Sequence, residues 1–238
     1  MRNTFSSSFI LSALLLGACT PYKSALFPLQ TIEKLPNVAI EFETTITQAD
    51  HSENHYRWYF WRTDNVVEIR NPQDNSSEIW TKLANGQIEY SIIFHDQKQS
   101  IDYNAVDLEM LGEVPNWTKT TLLCAPEMLA TLVSDRDEAL FNQAATHYKT
   151  NLPNTVFEVT WLSQQQIPAM IKRETNGQAT ITKMVALEPT QKSMIANPEA
   201  SSYYHTIFAD IGDKENDPFI KSVMPKLKGS HEHHEHGE

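Results

Sequence analysis

Two Asn-Gly pairs, each placed between segments of alternating apolar and polar residues, constrain the fold of this chain more than any other feature. Asn and Gly tolerate the positive φ angles of a tight two-residue turn, and alternation brings every second side chain to one face of a strand. Each pair therefore predicts an antiparallel hairpin. The turns and their flanking segments are Asn85-Gly86 between residues 78–83 and 87–95, and Asn176-Gly177 between residues 166–174 and 179–187.

Alternation extends beyond these hairpins. Residues 38–46 and 54–62 also alternate, so the first half of the chain predicts an antiparallel meander of about five or six strands. Strands resume at residues 155–162, and residues 203–211 have the pattern of a last strand. Asp217-Pro218 has the pattern of a helix start, with an N-cap before a proline in the first turn.

The middle of the chain has a different, helical spacing. Residues 107–111, 126–134 and 137–148 predict helices, and the stripe of Leu140 and Phe141 predicts a core-facing side. Strands, then helices, then strands predict an α+β fold, an antiparallel sheet of about eight to ten strands with helices packed on one side.

The N-terminus has the layout of a secretory signal, with Arg2 before an apolar run at residues 9–16. Its end, Leu16-Gly17-Ala18-Cys19, resembles a bacterial lipobox. This resemblance implies a signal peptide over residues 1–18 and a lipidated tether over residues 19–36, with acyl chains on Cys19. Thr20 stands where inner-membrane lipoproteins tend to carry Asp, which implies the outer membrane and a body that faces the periplasm.

Composition narrows the class of partner. A hydrophobic fraction of 40% is typical of a globular core, which we expect in one domain over residues 37–225. The formal net charge of −11, with no basic cluster, excludes nucleic acid as a partner.

Residues 226–238 have the composition of a flexible tail rich in histidine. Neutral imidazole binds Zn²⁺, Ni²⁺ and Cu²⁺, and a tail of this kind can wrap an ion without a preformed pocket. A solvated tail with no physiological ligand remains the alternative. The candidate metal ligands are His231, His233, His234 and His236.

The densest aromatic stretch lies in residues 55–62. A strand with large apolar groups on both faces is either buried on both faces or lines a cavity with one of them. We therefore consider two roles, structural core and apolar ligand contact, the second assigned to Trp58, Tyr59 and Trp61.

The sequence contains no Gly-x-Ser-x-Gly elbow, glycine-rich phosphate loop or Cys-x-x-Cys pair, so we expect no enzymatic activity. If Cys19 is lipidated, Cys124 has no partner for an intramolecular disulfide. Its apolar surroundings predict a buried residue that behaves as a small hydrophobe.

Residues 37–187, with their aromatic strands after a lipobox, loosely resemble the Lol-type periplasmic carriers and outer-membrane receptors that handle lipoproteins. The resemblance implies a curved, half-barrel-like sheet and a non-enzymatic binding or carrier module for a lipid, an acyl group or an envelope partner. A divalent-metal-binding lipoprotein that uses its C-terminal tail is the alternative, and a structural subunit of an envelope complex is a third.

Overall fold

Residues 25–27, 34–113, 115–188 and 198–232 are described by a computed structural model, and within them twelve strands form one curved, unclosed sheet. The fold is α+β, as the sequence predicts. The strand number exceeds the expected eight to ten because part of the predicted helical region is strand.

The first six strands form a meander in which each strand pairs with the next. They are β1 (Val38–Thr47), β2 (Glu53–Arg62), β3 (Val66–Asn71), β4 (Ser76–Lys82), β5 (Ile88–Phe94) and β6 (Gln99–Tyr103). Three short helices follow, which are α1 (Ala105–Met110), α2 (Trp117–Leu122) and α3 (Pro126–Leu129).

A second meander of five strands comes next, and β1 joins the two by pairing with β11. Its members are β7 (Leu132–Leu140), β8 (Gln143–Thr150), β9 (Val156–Leu162), β10 (Ile167–Thr175) and β11 (Gln178–Glu188). A last strand, β12 (Tyr204–Ile207), pairs in parallel with β6, and helix α4 (Pro218–Glu232) follows two 3₁₀ turns. The helix thus includes residues 226–232 of the segment expected to form a tail.

The register divides the sheet into two faces. Ile40 pairs with Phe60, and Phe60 pairs with Ile69, so these side chains share the face against which the α-helices pack, which we call the covered face. Tyr59 and Trp61 alternate with them and lie on the opposite face, which we call the outer face.

Apolar side chains from the helices complete three clusters along the covered face. Leu108 of α1 and Phe219 of α4 pack on β5 and β6, whereas Leu122 of α2 and Leu129 of α3 pack on β8 and β9. Between them lies a third cluster around Phe42. Burial of these faces is the main force that holds helices and sheet together.

The helices predicted over residues 126–134 and 137–148 are wrong for most of their length. Helix α3 ends at Leu129, and β7 and β8 occupy the rest as a hairpin whose turn residues Phe141 and Asn142 have φ angles of 52° and 58°. Pairing of β8 with β9 satisfies backbone groups that a local helix would otherwise satisfy, so long-range hydrogen bonds override the local spacing.

Candidate functional site

An apolar cleft of about 560 Å³ lies between α1, the 3₁₀ turns after β12, and α4. Asp107 supplies the one ionisable side chain of the lining, and all the others are apolar or glycine. Met110 is 81% exposed at this site, which is unusual for a large apolar residue. The lining residues are Asp107, Met110, Leu111, Phe208, Ala209, Ile211, Gly212, Met224 and Leu227.

Caps at both helix starts fix the walls of the cleft. The side chain of Asn104 accepts hydrogen bonds from the backbone N–H groups of Val106 and Asp107, and Asp107 Oδ2 accepts one from Asn104 N at 2.9 Å. Asp217 Oδ1 accepts a hydrogen bond from Phe219 N at 2.7 Å at the start of α4. These bonds satisfy backbone N–H groups of the first helical turns that have no acceptor within the helix, so α1 and α4 begin at defined residues.

Phe208 of the cleft lining packs against a second aromatic ring from the sheet. Tyr103 of β6 stacks on Phe208 with ring centroids 4.5 Å apart. Burial, aided by the charge of Asp107, raises the pKa of the Tyr103 hydroxyl, so this group stays protonated at neutral pH. The cleft therefore offers an apolar ligand a surface of aromatic and thioether groups.

The three aromatic residues singled out in the sequence do not lie together. Trp58 is half-buried on the covered face, where its Nε1–H donates to Thr44 Oγ1 at 3.0 Å and its ring stacks on Phe42. Tyr59 and Trp61 stack on each other on the outer face, with ring centroids 5.8 Å apart. The cleft is lined by other residues, so ligand contact by these three stays a prediction.

A buried arginine connects β2 to the segments that close over the covered face. Arg62 is fully buried, and its guanidinium donates to the carbonyl oxygens of Pro36, Thr121, Gln165 and Gln166. Burial lowers its pKa to about 10, so it remains charged at neutral pH. One side chain thus holds the entry to β1, the end of α2 and the loop between β9 and β10.

Sequence patterns gave no signal for Arg62 or for the cleft. The lining residues come from segments that are distant in sequence, and Met110 and Leu111 look like ordinary helix residues. The capping box formed by Asn104 and Asp107, which the sequence analysis missed, is the local signal that could have indicated the start of the α1 wall.

Two Ser–His contacts lie on the outer face, and neither has the geometry of a catalytic triad. His205 Nδ1 lies 2.8 Å from both Ser100 Oγ and Asp102 Oδ2, whereas a triad places serine and carboxylate on different ring nitrogens. Ser77, which contacts His95, is 1% exposed and donates its hydroxyl proton to a carboxylate.

Cys124 is 1% exposed, which confirms the prediction of a buried residue. Burial raises the pKa of its thiol to about 12, so the thiol is protonated and unreactive in the folded chain.

Cys19 and three of the four tail histidines, His233, His234 and His236, lie outside the described residues. His231 lies in the last turn of α4, and its side chain is also outside them. Among the side chains that the structure describes, no cluster of three or more His, Cys, Asp or Glu residues is arranged to hold a metal ion. In the same part of the chain, no helix is long and apolar enough to cross a membrane.

No protein-family model matches the sequence, and no curated protein matches it. Several solved structures are similar in part. PNGF-II is 7% identical, with a TM-score of 0.40, and the match covers 74% of this chain and 32% of PNGF-II. MucB is 10% identical, with a TM-score of 0.41, and the match covers 71% of this chain and 58% of MucB. A LolA-superfamily protein from Nitrosomonas europaea is 10% identical, with a TM-score of 0.31 over 66% of this chain and 88% of its own.

The chain spans 32% of the length of PNGF-II and 58% of the length of MucB. Since these three TM-scores lie below 0.5, the likenesses define neither a family nor a function for the chain.

Proposed function

We propose that this chain is a lipoprotein of the outer membrane whose body faces the periplasm and binds an apolar ligand, a lipid or an acyl chain, without catalysing a reaction. The cleft between α1 and α4 carries the proposal. Its volume of about 560 Å³ falls in the range of small-molecule sites, about 300–1,000 Å³.

The chemistry of the lining supports an apolar ligand. Met110 and Met224 contribute flexible, polarizable thioethers, which adapt to ligands of different shape. Leu111 and Leu227 add aliphatic surface, so binding would draw its free energy from burial of apolar area and from dispersion. Asp107 is already hydrogen-bonded to Asn104 N, so its charge is directed toward the helix start.

A fluorescent apolar probe, N-phenyl-1-naphthylamine, tests the cleft on the body that starts at residue 20. Met110→Glu should weaken probe binding about tenfold, which corresponds to about 1.4 kcal/mol, because it places a charge at an apolar contact. Met110 is 81% exposed, so the substitution should leave the fold intact.

Val106→Glu is the matched control. Val106 lies on the same helix, is 59% exposed and is not part of the cleft lining. Equal probe affinities for the two variants would contradict the assignment of the cleft. Native mass spectrometry of the same body should show a co-purified lipid.

The anchor has its own test. Intact-mass analysis of the chain from its native host should find Cys19 as the first residue, carrying diacylglycerol and an amide-linked acyl chain. Cys19→Ser should abolish lipidation and release the protein into the soluble periplasm. An unmodified Cys19 would remove the membrane location from the proposal.

Metal binding by the C-terminal tail is the second candidate function, favoured by four histidines interleaved with glutamates over residues 231–236. Calorimetry with Zn²⁺ or Ni²⁺ on the full body and on a body that ends at Lys228 separates it from the first. Equal binding by both would exclude the tail as the metal site.

A further inference from the structure

The hairpin of β7 and β8 ends in an apolar residue that the fold does not bury. Phe141 is 38% exposed, and its φ angle of 52° lies in the left-handed region, which bulky residues rarely occupy. The residues around it, from 139 to 146, carry no charge, although 21% of the chain is charged. Backbone strain of this kind is concentrated at functional sites.

The N-terminal segment lies along the same edge strand. Leu26 bridges Val133 of β7 in antiparallel orientation, Phe27 N donates to Leu132 O at 3.0 Å, and Ser134 N donates to Ala25 O at 2.6 Å.

Phe27 fixes this segment in place. It is buried, and it packs edge to face on Tyr148 and Trp161, with ring centroids 4.9 and 5.0 Å apart. Since the segment is antiparallel to β7, its N-terminal end at Ala25 points in the direction in which β7 continues toward Phe141.

The length of the tether is sufficient for the anchor to reach the same rim of the sheet. Five residues lie between Cys19 and Ala25, and the six Cα-to-Cα steps from one to the other can span at most about 20 Å. The seven residues of β7 from Ser134 to Leu140 are joined by six steps, which also cover about 20 Å. A fully extended tether that continued in the direction of residues 25–27 would therefore place Cys19 level with the hairpin tip.

We propose that the tip of the β7–β8 hairpin contacts the bilayer in which Cys19 is anchored, with Phe141 inserted at the membrane interface. This inference rests on the lipid anchor of the proposed function. Transfer of a phenylalanine side chain from water to the boundary between headgroups and acyl chains is favourable. The hairpin tip carries no charge, so anionic headgroups do not repel it. Two points of contact would fix the orientation of the body on the membrane.

A label at the hairpin tip tests the proposal on the mature, lipidated chain. Phe141→Cys introduces the thiol to be labelled with a nitrobenzoxadiazole fluorophore, because Cys19 carries the lipid and Cys124 is 1% exposed. The labelled chain is incorporated into vesicles of phosphatidylethanolamine and phosphatidylglycerol that contain nitroxide-labelled acyl chains.

Leu152→Cys is the matched control. Leu152 is 46% exposed in the turn between β8 and β9, which lies at the opposite end of β8 from Phe141. Both variants should keep the thermal denaturation midpoint of the parent. We expect a blue-shifted emission and loss of intensity through nitroxide quenching at position 141, and neither change at position 152.

The outcomes distinguish this inference from the one on which it rests. Failure of the chain to float with the vesicles would disprove the anchor and, with it, the membrane contact. A chain that floats while its label at position 141 behaves as the label at position 152 would overturn the hairpin contact alone.

Discussion

Replacement of Arg62 by methionine should destabilise the chain by about 3–5 kcal/mol. The guanidinium is fully buried and donates five hydrogen bonds to four backbone carbonyl groups. Two effects oppose each other on its removal. The variant no longer buries a charge, which favours folding, but carbonyl groups of three separate segments lose a charged donor, which opposes it.

The second effect should dominate. Each hydrogen bond from a charged group contributes about 1.5–3 kcal/mol, and an acceptor left buried without a partner costs about 1–3 kcal/mol. The gain from removing a buried ion is realised when its partners become apolar as well, and backbone carbonyls cannot be replaced. The segments that should loosen are the entry to β1, the end of α2 and the loop between β9 and β10.

Urea denaturation measures the free energy of unfolding, and limited proteolysis within residues 163–166 reports loosening of the loop. Arg57→Met is the matched control on the same strand. Arg57 is exposed and pairs with Glu41 and Glu43 in solvent, so its loss should destabilise the chain far less than the loss of Arg62. If Arg62→Met and Arg57→Met destabilise the chain equally, the reasoning about buried carbonyl groups is refuted.

Three further outcomes are expected. Trp58→Ala should lower the free energy of unfolding by about 3 kcal/mol, whereas Trp58→Phe, which keeps the ring stack and loses the hydrogen bond to Thr44, should lower it by about 1 kcal/mol in the same urea titration. The Cys124 thiol should not react with a disulfide reagent at pH 8 until urea unfolds the chain, because burial raises its pKa to about 12; prompt reaction in native buffer would contradict its burial. Burial, and to a lesser extent Arg136, lowers the pKa of His147, so the unfolded chain binds this proton first as the pH falls. The free energy of unfolding should therefore decrease as the pH falls below about 6.5, and His147→Gln should remove that part of the pH dependence.

The sequence predicted the local elements that rest on short-range chemistry. Both Asn-Gly hairpins form, but the predicted tight turn is confirmed at the second pair alone, where Asn176 and Gly177 have φ angles of 51° and 78° and Thr175 pairs with Gln178. At the first pair Gly86 has a φ angle of 87° and Asn85 does not have a positive one, and residues 83–87 separate β4 from β5. The cap at Asp217 and the α+β class are confirmed for the same reason, because a turn, a cap or an alternating strand is encoded within a few residues.

Three features were decided only by the tertiary structure. They are the hairpin of β7 and β8, the hydrogen bonds from the buried Arg62 to backbone carbonyl groups, and the position of the cleft. Leu140 and Phe141 have helical spacing with Ala144, yet β8 pairs with β7 on one side and with β9 on the other. Arg62 closes an alternating strand and gains its partners from segments up to 104 residues away.

The net charge and the apolar N-terminal pattern are properties of the sequence alone. They limit the class of partner and support the proposed envelope location without reference to a fold. A ligand site requires side chains that converge in space. The cleft is formed by α1 together with turns and a helix about a hundred residues later in the chain, and no local sequence pattern predicts that these segments are in contact.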